Sequence, residues 1–470
     1  APGAGDVVIT GSTGALVSSA GGFTYLAAPN VTQVQPSVGT FSTRVTVSGT
    51  SLLGGGAQIE TVLVNGVAAT TLVTSDSNSQ VIFDMPALAA AGLVNITITA
   101  DTGASFESIG QFTYRERGTI TNVSPVFGQV GTLVTITGTF LRSYGTEVDR
   151  VTFGSVPASI QSENDTTVVV ALGDSDTAGV VNVSVRADTR AFVLATAAFT
   201  YSVEGAIATV APTSGQEGTR VTIQGTHLLG NGTSIVSVTL AGVEVQAIES
   251  FSAAQVVVRA AQQLVPTTGD VILTADTGAI VNKTNAFSYF APGSIATVTP
   301  SRGQIGTRIT LAGTGLFGGG TGVANVTVGG AQVLETLSQS NSSIVVRAPS
   351  GAVGLATIVV TSDTGATVSK ANSFTYDTAS AITLVDPSSG IAGTVVTLTG
   401  TNLLGVANGN FIAAATFGGS TNATVQSSTQ TSVVVVAPAG IAPSNVSIVI
   451  EADSGARTST LPAAFEFLAP

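Results

Sequence analysis

The chain contains no cysteine, a single histidine (His227) and only two lysines, Lys283 and Lys370. Without cysteine there is neither a disulfide framework nor a thiolate metal site, and one histidine forms no histidine-based triad or multi-histidine metal site. Charged residues make up 9% of the chain and the formal net charge is −12. Because nucleic-acid binders concentrate Lys and Arg on one face, the composition argues against a nucleic-acid partner.

Long apolar runs are also missing. No run approaches the roughly 18 residues that cross a bilayer, so direct membrane insertion is not expected. The chain starts at Ala1 without an initiator Met or a signal-peptide pattern, which suggests a processed or truncated product.

What is abundant is glycine (55 of 470 residues) together with Val, Ile and Thr, and hydrophobic residues reach 44%. Disorder requires high charge and few apolar residues, so this composition predicts folded structure. Branched side chains suit a pleated, half-buried surface. The composition therefore predicts an all-β protein.

One stretch, residues 207–230, recurs along the chain at a steady period. Its prolines are Pro36, Pro125, Pro212, Pro300 and Pro387, at steps of 89, 87, 88 and 87 residues. Each copy ends in a Phe-x-Tyr pair, found at Phe23/Tyr25, Phe112/Tyr114, Phe199/Tyr201, Phe287/Tyr289 and Phe374/Tyr376, with Phe465/Phe467 as a sixth version. A fixed period of this kind indicates a tandem array of one module.

The repeat predicts five complete modules after a partial one. The complete modules cover residues 29–117 (module 1), 118–205 (module 2), 206–292 (module 3), 293–379 (module 4) and 380–470 (module 5). Residues 1–28 match only the last two strands of a module. An isolated hairpin is marginal in water, so either this segment is cut from a longer repeat polymer or another subunit supplies the missing strands.

Module 2 illustrates the predicted strands, which are 120–125, 133–137, 151–154, 167–170, 181–186 and 199–201. In the fifth of these, Val181, Val183 and Val185 alternate with polar residues and are expected to face inward. About seven short strands per module, with turn signals every 8 to 12 residues, predict an immunoglobulin-like β-sandwich.

The motif I-x-x-V-x-P-x-x-G-x-x-G-T-x-V-T-I-x-G-T-x-L-L-G, at 207–230 and with changes at 295–318 and 382–405, resembles the IPT/TIG family of immunoglobulin-like domains. Ser42 replaces the second glycine of the motif in module 1, which puts the type of that turn in question. The resemblance implies a fold, and it leaves function open because family members serve as receptors, adhesins, appendages, linker domains of polysaccharide-active enzymes and transcription factors. The basic loops of the last group are missing here.

The linkers between modules are short: five residues separate Tyr114 from Ile120. Successive modules are therefore expected to touch and to form a stiff or gently curved rod. At roughly 40 Å per module, five would span on the order of 200 Å.

Eleven of the 18 asparagines stand in N-x-S/T sequons, more than chance predicts. They are Asn30, Asn95, Asn122, Asn164, Asn182, Asn231, Asn282, Asn325, Asn341, Asn422 and Asn445. This excess predicts N-glycan acceptors and a secretory route, although abundant Asn and Thr on β surfaces would also produce sequons. Asn95, Asn182 and Asn445 are expected to occupy one outward-facing position in three modules, and the proline after Asn122-Val-Ser disfavours glycosylation there.

Asp101-Thr-Gly and Asp276-Thr-Gly copy the active-site sequence of aspartic proteases. However, the triplet recurs once per module before the Phe-x-Tyr strand, as at Asp363, Asp453 and, degraded, in Asp188-Thr-Arg. Asp and Gly favour a hairpin turn, whereas a protease needs two carboxylates facing one cleft. We therefore interpret the triplet as a turn.

No other motif supports catalysis or a cofactor. Glu163, Asp165, Asp174 and Asp176 form an acidic group in module 2, but no D-x-D-x-D-G calcium loop is present, so solvated loop charge is the preferred interpretation. His227 stands where other modules have unrelated residues. No metal, cofactor or enzymatic activity is expected.

The sequence predicts a secreted structural glycoprotein, at the cell surface or outside the cell, that self-associates into a filament, appendage or coat and carries covalent glycans. The alternative is an adhesin or receptor ectodomain that binds a protein or carbohydrate through its loops. The longest candidate loops are 54–57, 316–320 and 408–411, which are rich in glycine and poor in the Tyr and Trp typical of binding hot spots.

Overall fold

The computed structural model describes residues 2–405, 409–419, 421–460 and 462–469. Strands, turns and loops account for these residues, and none of them lies in a helix. The all-β prediction is therefore confirmed. The chain divides into two compact units, residues 1–205 with 229–236 and 274–281, and residues 206–228 with 237–273 and 282–470.

The N-terminal segment contributes β1 (Gly3–Thr10) and β2 (Leu16–Tyr25). Module 1 contributes β3 (Asn30–Gln35), β4 (Val38–Gly39), β5 (Arg44–Thr50), β6 (Ile59–Val64), β7 (Val67–Ala68), β8 (Thr71–Thr74), β9 (Gln80–Asp84), β10 (Gly92–Ala100) and β11 (Ser105–Tyr114). Module 2 contributes β12 (Thr119–Ser124), β13 (Phe127–Gly128), β14 (Leu133–Thr139), β15 (Val148–Phe153), β16 (Val156–Glu163), β17 (Thr167–Ala171), β18 (Gly179–Ala187) and β19 (Phe192–Tyr201).

Module 3 contributes β20 (Ala206–Ala211), β21 (Ser214–Gly215), β22 (Arg220–Thr226), β23 (Ile235–Leu240), β24 (Val243–Glu244), β25 (Ala247–Phe251), β26 (Gln255–Arg259), β27 (Thr267–Ala275) and β28 (Ile280–Tyr289). Module 4 contributes β29 (Ser294–Thr299), β30 (Arg302–Gly303), β31 (Arg308–Thr314), β32 (Val323–Val328), β33 (Ala331–Gln332), β34 (Glu335–Gln339), β35 (Ser343–Arg347), β36 (Gly354–Ser362) and β37 (Thr367–Tyr376). Module 5 contributes β38 (Ala381–Asp386), β39 (Ser389–Gly390), β40 (Val395–Thr401), β41 (Ile412–Phe417), β42 (Thr421–Ser428), β43 (Ser432–Val436), β44 (Ser444–Val446), β45 (Ile448–Ala452), β46 (Arg457–Ser459) and β47 (Phe465–Phe467).

Two sheets face each other in each of modules 1 and 4. In module 1 their strand orders are β3-β5-β9-β8 and β4-β11-β10-β6-β7, and module 4 repeats the arrangement with β29-β31-β35-β34 and β30-β37-β36-β32-β33. The short strand after the proline (β4, β30) pairs in parallel with the closing strand, whereas the other pairings are antiparallel. The first strand of the module (β3, β29) thus pairs in one sheet, and the short strand that follows it pairs in the other. Two facing sheets of this kind form an immunoglobulin-like sandwich.

In module 2 one strand joins the two sheets. Strand β16 pairs with β15 through its first residues and with β17 through the later ones, so the sheets form one eight-stranded order. Strand β16 is not predictable from the apolar pattern, because Pro157, Ser159, Gln161 and Ser162 interrupt it. The other predicted strands of this module are present, and Val183 and Val185 are buried with Val181 half-buried.

The Phe-x-Tyr pair forms the centre of each core. Phe199 is 1% and Tyr201 2% exposed, and the Phe199 ring packs edge-to-face against Phe153 at 4.9 Å between centroids. In module 5 both Phe465 and Phe467 are buried. Large buried aromatic rings supply much of the apolar area of a small domain, which explains why this pair recurs in each module.

The N-terminal hairpin has the register of a closing hairpin. Gly3 pairs with Tyr25 as Gly92 pairs with Tyr114, and both hairpins contain a bulge two residues later. Its aromatic residues are nevertheless open, since Phe23 is 56% exposed whereas the equivalent Phe112 is fully buried.

Candidate functional site: junctions between modules and acceptor asparagines

The Asp-Thr-Gly triplets lie at hairpin turns, as the sequence predicted. We call residues 101–104, 188–191, 276–279, 363–366 and 453–456 the aspartate turns. In module 4, Gly365 has a φ of 85°, and its amide donates to the carbonyl of Ser362. The Asp363 carboxylate accepts hydrogen bonds from the side chain and amide of Thr321, which lower its pKa. The Asp thus ties its turn to a distant loop.

A second turn follows the first strand of each module. We call residues 39–44, 128–133, 215–220, 303–308 and 390–395 the glycine turns. The threonine in each turn accepts a hydrogen bond from a backbone amide three residues earlier, for example from Gln216 N to Thr219 Oγ1 at 3.0 Å. The same bond holds the turns of the other four modules.

The glycine turn of one module contacts the aspartate turn of the next. Between modules 3 and 4, Arg220 N donates to Thr364 O at 2.9 Å and Thr367 N donates to Glu217 O at 3.0 Å. The corresponding pairs are Leu133 N to Thr277 O with Ile280 N to Val130 O, and Arg308 N to Ser454 O with Arg457 N to Ile305 O. Paired main-chain hydrogen bonds therefore cross each of these three junctions.

A buried glutamine adds two further bonds to each of these junctions. Gln216 is 1% exposed; its Oε1 accepts from the linker amide of Gly293 at 2.8 Å, and its Nε2 donates to Thr367 O at 3.1 Å. Gln129 makes the same pair of bonds with Gly205 N and Ile280 O. Gln304 binds Ser380 N and Ser380 Oγ. Gln129 and Gln216 therefore each connect a module, its linker and its neighbour, whereas both bonds of Gln304 go to Ser380.

Two glycines meet at the centre of each of these junctions. Gly218 has a φ of 82°, and a Cβ at this position would lie 2.9 Å from the carbonyl oxygen of Gly365; a Cβ at Gly365 would lie 3.1 Å from Gly218 O. Gly131 with Gly278, and Gly306 with Gly455, form equivalent pairs. Glycine is required here both for its left-handed conformation and for the close approach of two main chains.

The junction between modules 1 and 2 is built differently. Ser42 and Arg190 replace its two glycines, with φ values of 65° and 70°, so the unusual Ser42 keeps the glycine-like conformation. Arg44 N still donates to Thr189 O. Phe41 packs edge-to-face on Phe192 at 5.8 Å between centroids, and the Arg117 guanidinium lies 4.4 Å above the Phe41 ring. An aromatic and cation–π contact therefore stands in place of the glutamine.

In the sequence, Ser42 and Arg190 are two separate departures from the repeat with no visible connection. The Ser42 and Arg190 positions are about 150 residues apart in the chain, yet they belong to one junction. The signal that could have linked them is that both glycines are lost together, whereas the other junctions keep both.

The junction between modules 4 and 5 carries an ionic cluster. The Glu451 carboxylate lies 3.2 Å from Arg308 and 3.1 Å from Arg347, both in module 4, and 2.8 Å from Arg457. Burial alone would raise the pKa of Glu451, but the hydrogen bond from Arg457 and the charge of Arg347 outweigh it and hold the pKa below its ordinary value. Glu335 also pairs with Arg347.

Most of the sequon asparagines are exposed, whereas the Oδ1 atom of Asn325 is buried. Asn95 and Asn325 are half-buried, and the other nine, Asn30, Asn122, Asn164, Asn182, Asn231, Asn282, Asn341, Asn422 and Asn445, are exposed. Whether they carry glycans stays a prediction.

The outward position held by Asn182 also has a structural role. Asn182 Oδ1 accepts a hydrogen bond from Ala197 N at 2.8 Å, where the closing strand bulges. Asp6 and Asp270 make the same contact with Gly21 N and Asn285 N. Because these two aspartates accept the same hydrogen bond from the bulge, the bond by itself does not require asparagine. Nδ2, the atom that would carry a sugar, is not used by this bond.

The prediction that Asn445 shares this position is wrong. Asn445 pairs with Glu466 and Val446 pairs with Phe465, which matches Val180 opposite Thr200 and Val181 opposite Phe199 in module 2. Asn445 thus occupies the position of Val180, and Ser447 follows where Asn182 would stand. The distance to the aspartate turn shows the same offset, since six residues separate Asn182 from Asp188 and eight separate Asn445 from Asp453.

The acidic group of module 2 does not converge on one site. Glu163 pairs with Arg142 at 2.8 Å. Asp174 lies near Glu204, whose pKa is raised by burial and by the charge of Asp174. Over the described parts of the chain, no three acidic or histidine side chains are placed to hold a metal ion. His227 is exposed in a loop with a φ of 49°.

Of the loops considered for ligand binding, one buries its leucine in the module core and another exposes an aromatic ring. In loop 316–320, Leu316 is 1% exposed and belongs to the module core. In loop 408–411, Asn408 lies outside the described residues, and Phe411 is 55% exposed.

The described residues contain no helix of the length and hydropathy needed to cross a membrane.

The family model described as IPT/TIG domain matches five consecutive segments, 29–114, 119–201, 206–289, 294–376 and 380–467. A search of curated protein sequences finds no significant match.

Several solved structures are similar in fold. The plexin A4 extracellular region (domains 1 to 10) matches at 14% identity over 92% of this chain and 50% of that chain, with a TM-score of 0.33. The eight N-terminal Ig domains of Down syndrome cell adhesion molecule match at 12% identity over 93% and 70%, with a TM-score of 0.21. The Bacteroides ovatus protein SGBP-B, in complex with a mixed-linkage heptasaccharide, matches at 15% identity over 69% and 93%, with a TM-score of 0.17.

The chain spans about half the length of the plexin structures it matches. At these TM-scores the likenesses carry no argument about function.

Proposed function

Since the chain belongs to the IPT/TIG domain family, we propose that it is an extracellular structural glycoprotein whose tandem modules assemble into a filament, appendage or surface coat. We propose no enzymatic activity and no cofactor for the chain. We propose N-linked glycans on its exposed sequon asparagines.

The repeated junction is the observation that carries this proposal. Three junctions share two main-chain hydrogen bonds, a buried glutamine and a glycine pair, and the remaining junction substitutes an aromatic contact. A flexible string of independent binding modules needs no such docking, because free linkers would serve. Specific contacts at each boundary suit a protein whose function depends on a fixed relation between neighbouring modules.

The accessible sequons support the extracellular part of the proposal. Nine of the eleven asparagines are exposed and two are half-buried, so an oligosaccharide could be attached without unfolding a core. Glycans on outward strands would also shield sheet edges from pairing with other chains, a hazard that edge strands carry.

Native material tests the proposal. Electron microscopy should show uniform filaments or coats, and glycopeptide mass spectrometry should find hexosamine on several of the eleven asparagines. Dispersed particles with unmodified asparagines would contradict it. Dispersed glycosylated particles that bind a protein or carbohydrate would favour the adhesin or receptor alternative.

A further inference from the structure

Module 2 carries two aromatic rings in a loop where the other modules have small or polar residues. We call residues 139–145, which hold Phe140 and Tyr144, the aromatic loop. The two rings stack with 5.2 Å between their centroids and 21° between their planes. Phe140 is 42% exposed and Tyr144 is half-buried, so the pair presents the Phe140 ring to solvent.

Both residues hold a backbone conformation that disfavours large side chains. Phe140 and Tyr144 have φ values of 50° and 67°, and the same positions in module 4 are Gly315 and Gly319, with φ values of 62° and 84°. The left-handed conformation is uncommon for bulky residues, and residues held in it cluster at functional sites. The turn itself does not require the rings, since module 4 forms it with glycine.

Tyr144 has a packing explanation that Phe140 lacks. In module 4 the ring of Phe290, from the linker, lies where a Cβ on Gly319 would be. The Tyr144 side chain starts at the corresponding place in module 2, so its ring covers the loop as a linker residue does in module 4. Phe140 is stacked on Tyr144 and remains to be explained.

The aromatic loop is bonded to a loop that carries a sequon. We call residues 163–166, which contain Asn164, the sequon loop. Arg142 N donates to Asp165 Oδ1 at 3.1 Å, and the Arg142 guanidinium pairs with Glu163 at 2.8 Å. The amide of the residue before Arg142 donates to Asp165 O at 2.9 Å. The residues on both sides of Asn164 are therefore attached to the aromatic loop.

The Asn164 side chain is itself held in place. Its Oδ1 accepts hydrogen bonds from Thr166 N at 2.8 Å, from Thr167 N at 2.8 Å and from Thr166 Oγ1 at 3.0 Å. Nδ2, the atom that would carry a sugar, takes no part in these bonds. A glycan attached to Asn164 would therefore start from a fixed point beside the aromatic loop.

We propose that the N-linked glycan of Asn164 packs its first sugar rings against the Phe140 side chain. This contact deepens the proposed function, on which it rests, because that function supplies the glycan. It gives module 2 a binding site for carbohydrate that is occupied by the chain's own modification.

The chemistry of the two loops suits a sugar. A sugar ring has an apolar C–H face, which stacks on the electron-rich face of an aromatic ring, and hydroxyl groups along its rim. Hydroxyl groups both donate and accept hydrogen bonds. The rim would meet charged residues of both signs around Tyr144, which are Arg115, Glu116 and Asp165.

The covalent link favours the chain's own glycan over a free oligosaccharide. A tethered ligand has a high effective concentration at its site, so a free sugar of the same composition would have to displace it. Covering Phe140 also removes apolar area from water.

Site-resolved release of glycans from the folded protein tests this contact. The full chain, produced in a host that attaches N-glycans, is treated with a peptide N-glycosidase, and release is followed at each sequon by mass spectrometry. A packed glycan is less accessible to the enzyme, so Phe140→Gly should accelerate release at Asn164 about 3-fold or more. Release at Asn182, in the same module, should not change.

A second variant separates the ring from the backbone. Phe140→Gly copies Gly315 of module 4, whereas Phe140→Asn copies Asn402 of module 5, which has a φ of 54°. Both residues tolerate the left-handed conformation, and only glycine adds chain flexibility. The two variants should accelerate release at Asn164 equally, with circular dichroism confirming that both are folded.

Phe127→Ser is the matched control. Phe127 is another exposed phenylalanine of module 2, at 49%, and the same position is serine in modules 3 and 5, at Ser214 and Ser389. This variant should release the Asn164 glycan at the rate of the wild type.

Equal release at Asn164 in the wild type and both Phe140 variants would overturn the contact and leave the proposed function standing. An unmodified Asn164 in a chain glycosylated at other sequons would do the same. Unmodified asparagines throughout would remove the glycans from the proposed function and the contact with them. Binding of a free oligosaccharide that Phe140→Gly abolishes, with release at Asn164 unchanged, would assign the ring to an outside ligand and would also overturn the inference.

Discussion

At the scale of single residues, the junction depends on two glycines, which have no Cβ. A hydrogen in place of a Cβ at Gly218 and Gly365 lets two main chains approach closely. Between modules 1 and 2, Ser42 and Arg190 replace both glycines and keep the left-handed conformation.

Gly218→Ala should cost about 3 kcal/mol of stability, whereas Gly242→Ala should cost about 1 kcal/mol. Both glycines lie in module 3 with φ values near 82°, so the backbone strain is equal. Only the Gly218 variant forces a Cβ against Gly365 O, while the space around Gly242 is empty. Urea unfolding followed by circular dichroism measures the free energy of unfolding of both variants. Equal losses of stability in the two variants would show that the contact between Gly218 and Gly365 is unimportant.

The Asn182 position separates glycosylation from structure. Asn182→Asp should remove the glycan and keep the stability of module 2, since Asp270 makes the same bulge contact in module 3. Asn182→Ala should remove the glycan and cost about 1 kcal/mol, the value of one lost hydrogen bond.

Ser184→Ala, which destroys the sequon while leaving Asn182 in place, is the control. Mass spectrometry of the tryptic peptide and the melting temperature are the readouts. An unmodified Asn182 in native protein would remove this position from the acceptor set, and equal melting temperatures of the Asp and Ala variants would show that the bulge bond contributes nothing.

At the scale of elements, the unit of organisation is a pair of turns from neighbouring modules. Four versions exist, and three share the glutamine whereas one uses Phe41, Phe192 and Arg117. The junction between modules 4 and 5 also contains the ion pairs of Glu451, and we expect the stability of this junction to depend on pH.

The Glu451 cluster should weaken in acid. Because the pKa of Glu451 is lower in the folded protein than its ordinary value of 4.5, its ionisation stabilises the junction above that pH, and this contribution is lost as the pH falls through the folded pKa. Hydrogen exchange of the Arg457 amide, which donates to Ile305 O across the junction, should therefore accelerate in acid beyond the intrinsic change in exchange rate.

Glu451→Gln should abolish this additional acid sensitivity. Glu335→Gln is the control, because Glu335 pairs with Arg347 but is 57% exposed. An Arg457 amide that responds to acid identically in wild type and Glu451→Gln would contradict the assignment.

At the scale of the whole molecule, the surface combines low charge with exposed apolar side chains. Leu93, Val180 and Leu355 are 69%, 63% and 68% exposed at equivalent positions beside the closing strands. With a net charge of −12 and a pI near 4.4, copies of the chain repel one another at neutral pH.

Enzymatic removal of N-glycans should lower the solubility of native protein, most strongly near pH 4.4. Near the pI the repulsion vanishes, and the sugars would be the remaining cover over apolar surface. Turbidity measured from about pH 3 to 8, with mock-treated protein as control, gives the result. A turbidity profile unchanged by deglycosylation would show that glycans do not protect the surface.

The sequence by itself determined the repeat, the all-β class and the family. These follow from local patterns: branched residues alternating with polar ones, Phe-x-Tyr at a fixed spacing, and Asp and Gly at turns, each of which restricts the backbone or the buried face of its own segment. Strand β16 was not predicted because its burial depends on two different neighbouring strands. Asn445 was misplaced although it lies eight residues before the aspartate of its turn, whereas Asn182 lies six before its own, and its pairing with Glu466 shows the same offset.

Only the tertiary structure decided what the glycine turns and aspartate turns do. A turn with a positive φ looks the same in sequence whether it faces water or another main chain. The distinction lies in contacts between residues such as Gly131 and Gly278, nearly 150 positions apart, and such contacts leave no local periodicity to read. Hydrogen bonds between residues of neighbouring modules convert two ordinary turns into a junction.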